Sequence, residues 1–195
     1  MTTTQPAGSM RERKKAAAKA AVVSAAISLF SERGYDAVSV AEICEAADIA
    51  RRSFFRYFGT KEDLILEPYR AMDARVHRSI AAAPAELSDR EVFERALRDL
   101  AVYMLGNWDD LIGTFQILER ATTLRGTVNA QLADQERGLA DALLQRRSDP
   151  SAPDWQTLLL VGRATAAYRV WLSEMRTTAV SDPLDLLETI FQAQT

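Results

Sequence analysis

Residues 39–63 read SVAEICEAADIARRSFFRYFGTKED, and this stretch decides the fold. Ser39 and Glu42 have the spacing of a capping box, in which a hydroxyl and a carboxylate satisfy free amides at a helix start. The apolar spacing that follows is helical. The segment therefore predicts a short helix, a tight turn at residues 47–49 and a further short helix over residues 51–57.

The second of these helices carries arginines interleaved with aromatic residues. Phe54 and Phe58 share one helical face, on which they can anchor the helix to its neighbours. Arg51, Arg52 and Ser53 lie at its amino-terminal end, where a recognition helix reaches base edges in a major groove. Because arginine bonds guanine bidentately and serine serves several bases, these side chains predict contacts with double-stranded DNA.

Helix signals run along the rest of the chain, and strand signals are almost absent. The predicted fold is all-α with about nine helices, and its first three form a helix-turn-helix DNA-binding domain. The other helices are predicted over residues 11–33, 61–82, 88–105, 109–123, 127–146, 154–175 and 183–194. Pro68 lies beyond the first turn of the fourth helix, so we expect a kink or a break near Leu66.

These elements predict three parts of the chain. Residues 1–10 lack an apolar stretch and are expected to form a disordered tail. Residues 11–60 are expected to form the DNA-binding domain, and residues 61–195 a helical domain for effector binding and dimerisation. A loop is predicted over residues 148–153, where serine and proline cluster.

Charge is distributed unevenly along the chain. Through Lys61 there are ten Lys or Arg and six Asp or Glu, a net charge of +4. After Lys61 there are fourteen Arg, no Lys and twenty-one Asp or Glu, a net charge of −7. A basic first third followed by an acidic remainder indicates a part that binds a polyanion and a part that does not.

Composition argues against several classes of protein. No apolar run approaches the roughly 18 residues that span a bilayer, and no signal peptide is evident, so we expect a cytoplasmic protein that does not enter a membrane. The lone Cys44 excludes an intrachain disulfide and is expected to fill space in the second helix. The lone His77 is expected at the surface. No set of side chains predicts catalysis, a metal or a cofactor, so an enzyme is disfavoured. A protein-binding helical adaptor remains the rival class.

Residues 38–64, VSVAEICEAADIARRSFFRYFGTKEDL, together with LFSERGY at residues 29–35, resemble the TetR family of transcriptional regulators. The resemblance covers about residues 12–66. It implies an all-helical homodimer that binds a palindromic operator. It also implies that such a regulator usually represses and lets go of DNA when a small effector enters its carboxy-terminal domain.

The resemblance also assigns roles to matching positions. Arg51, Arg52 and Ser53 look like base readers, and Tyr57 and Lys61 look like phosphate contacts. Further contacts along the DNA backbone or in a minor groove are predicted from the basic start of the chain, at Arg11, Arg13, Lys14, Lys15 and Lys19. The alternative for this basic segment is a solvated tail without a partner.

Three positions depart from the family's pattern. Asp48 stands where glycine is usual in the turn, although aspartate tolerates the left-handed region less well than glycine. Ala50 stands where a serine or threonine usually caps the recognition helix, at a cost of about 1 kcal/mol. Phe55 often has a tyrosine counterpart, so one hydroxyl that could bind phosphate is missing. These departures affect the expected contacts with DNA, whereas the helix-turn-helix motif itself is still expected.

The second domain offers weaker signals. Residues 120–125, RATTLR, and the helix that follows look similar to a subgroup with acyl-CoA-like ligands. Aromatic and soft side chains that could line an effector pocket are Tyr103, Met104, Trp108, Phe115, Tyr168 and Trp171. Ordinary core packing is the alternative for each of them, because they occur at helical spacing.

The last two helices carry regularly spaced leucines and aromatic residues. In the TetR family the corresponding helices pair with their copies in a four-helix bundle, and such a symmetric interface matches a palindromic operator. The resemblance therefore implies a homodimer through these two helices. A purely internal core is the alternative.

Overall fold

The computed structural model describes residues 10–146 and 154–193, and within them the chain is all-helical with no strand. These residues form nine α-helices and one 3-10 turn. The helices are α1 (Met10–Arg33), α2 (Val40–Ala46), α3 (Arg51–Tyr57), α4 (Glu62–Ala81), α5 (Asp89–Gly106), α6 (Trp108–Arg120), α7 (Arg125–Leu144), α8 (Asp154–Thr177) and α9 (Pro183–Gln192). The predicted tail before Met10 and the predicted loop over residues 148–153 lie outside the described residues.

The predicted helices agree closely with the observed ones, with two exceptions. Of the kink or break predicted near Leu66, the break is wrong, because α4 continues from Glu62 to Ala81 with Pro68 inside it, and the kink stays a prediction. The helix predicted over residues 109–123 begins at Trp108 and ends at Arg120, and a 3-10 turn at Thr122–Leu124 follows. In this turn the Leu124 amide bonds the Ala121 carbonyl, a tighter spacing than that of an α-helix.

Chain contacts divide the protein into two compact units. The first contains the described residues through Glu67 together with Asp109–Arg125, and the second contains Pro68–Trp108 and the described residues from Gly126 onward. The division at 67/68 falls inside α4, beside Pro68. The predicted boundary between the DNA-binding domain, residues 11–60, and the effector and dimerisation domain, residues 61–195, stays a prediction.

The first unit packs α1, α2 and α3 around large apolar side chains. Phe30 and Tyr35 have ring centroids 5.0 Å apart, and Phe54 and Phe58 have centroids 5.6 Å apart. Helix α6 belongs to this unit from Asp109 onward, and its Phe115 is buried. In the 3-10 turn after α6, the Thr123 hydroxyl donates to Asp36 Oδ1 at 2.7 Å, in the connection between α1 and α2. The helix-turn-helix therefore shares its unit with a segment distant in sequence.

The second unit packs α5 against α8 and α9. Trp171 is completely buried, and its Nε1 donates to the Pro183 carbonyl at 2.6 Å, which ties α8 to the start of α9. Arg98 on α5 forms a bidentate pair with Glu188 on α9. Apolar burial supplies the main stabilisation of this unit, while the paired charges fix the position of α9.

No helix in the described ranges is long and apolar enough to span a membrane.

Candidate nucleic-acid interface

The predicted capping box at the start of α2 is present. The Ser39 hydroxyl accepts from the Glu42 amide at 3.3 Å, and the Ser39 amide donates to Glu42 Oε2 at 2.8 Å. Arg33 Nη2 lies 2.7 Å from Glu42 Oε1. The backbone and hydroxyl groups of Ser39, followed by Arg33, lower the pKa of Glu42 to about 2. The cap thus joins the end of α1 to the start of α2.

The turn between α2 and α3 is a Schellman motif built without glycine. Asp48 has a φ of 51°, in the left-handed region, and its amide donates to the Glu45 carbonyl at 3.2 Å. The Ile49 amide donates to the Cys44 carbonyl at 2.9 Å. These two bonds close the end of α2 as glycine would at this position. Asp48 therefore takes the left-handed conformation at the position where the TetR family usually has glycine.

Helix α3 spans the predicted residues and has two distinct faces. Phe54 is completely buried and Phe58 is nearly so, which confirms the predicted anchors. Arg51 and Arg52 are exposed at the amino-terminal end, and Ser53 is half-buried beside them. Ala50 forms no side-chain cap, as its residue type predicts. The helix therefore presents two guanidinium groups to solvent from a firmly packed base.

Two further side chains on α3 contact each other. The Arg56 guanidinium donates to the Tyr57 hydroxyl at 3.1 Å and lies 5.0 Å from the centre of the Tyr57 ring. Phe55 is exposed, at 55% of its surface, next to these polar groups. Tyr57 keeps its own hydroxyl proton as a donor. Its predicted role as a phosphate contact stays a prediction.

Lys61, the other predicted phosphate contact, has contacts within its own unit. Its ammonium donates to the carbonyls of Tyr35 and Val38, both at 3.0 Å, and lies 4.1 Å from the centre of the Tyr35 ring. An ammonium has three donors, so one remains after these bonds. Lys61 therefore positions the connection between α1 and α2, and the sequence pattern did not predict this role.

Tyr35 and Glu62 form a second link at the same place. The Tyr35 hydroxyl donates to Glu62 Oε1 at 2.7 Å. Burial, followed by this bond, raises the pKa of Tyr35. Burial alone would raise the pKa of Glu62, but the bonds from Tyr35, the backbone and Thr60, aided by Lys61, lower it overall. Glu62 thus binds a side chain, whereas its neighbour Asp63 forms the helix cap with Thr60.

The basic start of the chain lies on α1 rather than in a tail. Lys14 and Lys15 are exposed there, while the side chain of Arg11 lies outside the described part of the chain. Lys19 is half-buried, with its ammonium 2.8 Å from Glu67 Oε1 and 5.3 Å from the centre of the Phe58 ring. Lys19 is therefore engaged within the first unit, whereas Arg13, Lys14 and Lys15 are predicted backbone contacts that are exposed to solvent.

The side chains predicted to line an effector pocket differ in their surroundings. Tyr168 is buried and its hydroxyl donates to Met104 Sδ at 3.0 Å, and its ring lies 5.1 Å from that of Trp171. Tyr103 and Trp108 are half-buried in the same unit. Phe115 belongs to the first unit and the other five to the second. Their assignment to a pocket stays a prediction.

The two lone reactive side chains take structural places. Cys44 is buried in α2, as predicted for a small filler, and burial raises the pKa of its thiol. His77, predicted at the surface, keeps 37% of its side chain exposed on α4. Its Nε2 lies 3.7 Å from Asp73 Oδ2, and Gly138 of α7 lies beside the ring. Within the described residues no group of three or more ligating side chains could hold a metal.

Helix α8 exposes an apolar stripe on the side away from its buried residues. Trp155, Leu159 and Val170 are exposed at 60%, 50% and 52% of their surfaces. Gly162 and Ala166 lie between Leu159 and Val170 and continue the stripe at spacings of three or four residues. Leu184 on α9 is also exposed. An apolar stripe of this periodicity is typical of a helix that packs against another helix.

Comparisons with known proteins agree with this arrangement. The sequence model described as "Bacterial regulatory proteins, tetR family" matches residues 22–67. The HTH-type transcriptional regulator TcmR from Streptomyces glaucescens is 26% identical over 190 residues, covering 94% of this chain and 84% of that protein. The HTH-type transcriptional repressor Rv3405c from Mycobacterium tuberculosis is 33% identical over 108 residues, covering 50% of this chain and 56% of that protein.

The fold also has counterparts among solved structures. A TetR-family regulator from Syntrophomonas wolfei superposes with a TM-score of 0.64 at 14% identity, covering 92% of this chain and 93% of that one. The relatives are transcriptional regulators and not enzymes. The helix-turn-helix, its exposed arginines and the matched residues together lead to one conclusion: residues 22–67 carry the amino-terminal domain of the tetR family of bacterial regulatory proteins, and the chain is similar over most of its length to an HTH-type transcriptional regulator.

Proposed function

We propose that the protein is a ligand-responsive repressor that binds a palindromic operator as a homodimer. The observation that carries this proposal is α3, which buries Phe54 and Phe58 and exposes Arg51 and Arg52 at its amino-terminal end. In a dimer, two such helices enter major grooves about 34–36 Å apart, roughly one turn of the duplex, or slightly further. Arg51, Arg52 and Ser53 then meet base edges.

The remaining contacts position the protein on the backbone. Tyr57 and Lys61 are proposed to meet phosphates near α3, and Lys14 and Lys15 to follow the backbone from α1. Such contacts contribute affinity for all sequences and make binding fall steeply with salt, because bound counterions are released. The net charge of +4 through Lys61 supports this assignment.

Release from the operator is proposed to follow effector binding in the second domain. Helix α4 begins in the first compact unit and continues into the second, so a displacement of its carboxy-terminal part is transmitted along one continuous helix. A ligand that binds the displaced state better shifts the population away from DNA binding. The resemblance at residues 120–125 makes acyl-CoA-like compounds the candidate class of effector. The protein is proposed to act in the cytoplasm.

The first experiment is to pass sheared genomic DNA of the host over purified protein at moderate salt and to sequence the retained fragments. We expect a few sharp peaks that share a palindrome. A reporter gene placed behind the recovered operator should be expressed less when the protein is present. Featureless recovery at every salt concentration, with no salt-dependent affinity, would support the helical adaptor instead.

Two variants separate base reading from charge. Arg52→Ala should lower affinity for the operator roughly tenfold or more, because one bidentate contact with a base is lost. The variant should also discriminate less between bases at that position. Arg137→Ala removes an exposed arginine of the second unit and serves as the matched control. If Arg52→Ala kept wild-type affinity and preference, as Arg137→Ala is expected to, α3 would not be the recognition helix.

Effector response needs its own test. A long-chain acyl-CoA added to the protein–operator complex should release the labelled operator in a concentration-dependent manner, whereas free coenzyme A should not. Retention of the operator at saturating acyl-CoA would reject this ligand class and leave DNA binding untouched.

A further inference from the structure

Helices α4 and α5 enclose an open groove of about 430 Å³ within the second compact unit. Its lining includes Arg75, Arg78 and Ser79 from α4, and Arg95, Asp99 and Val102 from α5. None of the side chains predicted to line an effector pocket from sequence lines this groove. It is therefore a separate feature of the second unit.

The groove concentrates positive charge in an acidic part of the chain. It brings together three arginines and one carboxylate, whereas the chain after Lys61 carries a net charge of −7. On α5, Arg98 pairs with Glu94 and Glu188. By contrast, Arg75, Arg78 and Arg95 form no ion pair with any residue in the described part of the chain. Three arginines without a carboxylate partner in one concave surface favour an anionic ligand.

Arg75 packs against an aromatic ring. Its guanidinium lies 4.5 Å from the centre of the Tyr103 ring, which fixes the plane of the group. Its Nε is buried and has no hydrogen-bond partner in the described structure. A buried N–H without an acceptor is unusual in a folded protein.

The one carboxylate of the lining is already engaged. The Ser79 hydroxyl donates to Asp99 Oδ2 at 2.6 Å, which links α4 to α5. Val102 is exposed at 56% of its surface and offers an apolar contact beside the charged groups. The groove thus combines oxyanion donors with an apolar edge, and its volume lies in the range of small-molecule sites.

We propose that this groove binds a small molecule through a phosphate or carboxylate group held by Arg75, Arg78 and Arg95. The proposal extends beyond DNA binding and does not depend on it, since every residue involved belongs to the second unit. A duplex needs a longer basic track than three arginines around one concave site. Nucleic acid is therefore an alternative that the experiment must distinguish.

The test is calorimetric titration of the full-length protein at low ionic strength, in the absence of DNA. Pyrophosphate and octanoate serve as the phosphate and carboxylate probes, and binding of either one is expected. Arg78→Gln and Arg95→Gln should each weaken that binding roughly tenfold or more, because each removes a charge-assisted hydrogen bond. Arg137→Gln, an exposed arginine outside the groove, is the matched control and should change affinity by less than about twofold.

A variant that binds the probe more tightly cannot be explained by a damaged fold, so such a variant tests the site directly. Asp99→Asn keeps the shape of the side chain and an acceptor for Ser79 but removes the negative charge, so it should tighten binding several-fold. Thermal unfolding of each variant verifies its fold. The proposal is overturned if neither probe binds, if Arg137→Gln weakens binding as much as Arg78→Gln, or if Asp99→Asn fails to tighten it. It is also overturned if a random duplex competes with the probe for the groove arginines.

Discussion

Asp48 shows how one residue determines the geometry of the whole motif. Its φ of 51° is a conformation that costs most residues about 1–2 kcal/mol, with aspartate less affected than most. Asp48→Ala should therefore lower the free energy of unfolding by about 1 kcal/mol, whereas Asp48→Gly should leave it unchanged or raise it. Urea unfolding checks the order, with the exposed helical substitution Glu45→Ala as control. An Asp48→Ala protein as stable as wild type would contradict the assigned strain.

Lys61 serves two purposes that can be measured separately. Lys61→Met keeps the apolar stem but leaves the carbonyls of Tyr35 and Val38 without their charged donor, so the free energy of unfolding should fall by about 1–2 kcal/mol. Without DNA, thermal unfolding reports this loss alone. Lys14→Met, at an exposed position on α1, is the control.

The same Lys61→Met protein then tests the phosphate contact. If the remaining ammonium donor meets DNA, affinity should fall about equally for operator and unrelated duplexes. A protein with reduced stability but unchanged affinity would assign Lys61 to the structural role alone.

At the scale of elements, the cap of α2 makes stability depend on pH. Glu42 has a folded-state pKa of about 2 and an ordinary value of 4.5. A lowered pKa means that the ionised form stabilises the fold above pH 4.5, and that this contribution is lost as pH falls from 4.5 toward 2. Wild type should melt above Glu42→Gln at neutral pH, and the difference should shrink across that acid range.

Thermal melts at a series of pH values measure this convergence. Glu45→Gln changes an exposed glutamate on the same helix and should follow wild type throughout. A constant difference between wild type and Glu42→Gln down to pH 2 would mean that the ionised carboxylate is not the stabilising form.

The elements also show what the sequence could predict. The bounds of α3 and the cap at Ser39 follow from local rules, because spacing and capping chemistry act within a few residues. The predicted break in α4 failed because a single proline removes one backbone bond, and the surrounding burial of Leu64, Ile65 and Leu66 sustains the helix. The local sequence pattern therefore predicts where helices occur better than it predicts whether a helix is interrupted.

Contacts between distant residues could not be predicted in this way. Lys61 and Lys19 resemble other basic side chains in sequence, yet both bind groups far along the chain. The α4–α5 groove combines arginines from two helices whose facing sides depend on packing. Spacing predicts which face of a helix a residue occupies, whereas the partner opposite depends on the tertiary fold.

For the whole molecule, the apolar stripe of α8 predicts how two copies associate. Leu159→Arg places a charge in the middle of this stripe and should shift the protein from dimer to monomer, because an isologous contact repeats the charge on both subunits. Light scattering after size exclusion measures the mass. Operator affinity should fall steeply in parallel, since one subunit reaches only one half-site.

Val102→Arg is the matched control, because it also adds a charge at an exposed aliphatic residue, but on α5 rather than on α8 or α9. It should remain dimeric. A Leu159→Arg protein that stays dimeric would assign the dimer to another surface. A monomeric wild type would contradict the proposal that a symmetric dimer binds a palindromic operator.

Helix α6 affects where the sequences of two related parent proteins can be joined to make a chimera. The chain leaves the first compact unit after Glu67, returns at Asp109 and leaves again after Arg125, so that unit draws on two separate stretches of sequence. A single crossover near residue 67 would transplant the recognition helix without the segment that carries Phe115 and the Thr123 bond to Asp36. A chimera that is to inherit operator specificity intact therefore needs both stretches from the same parent.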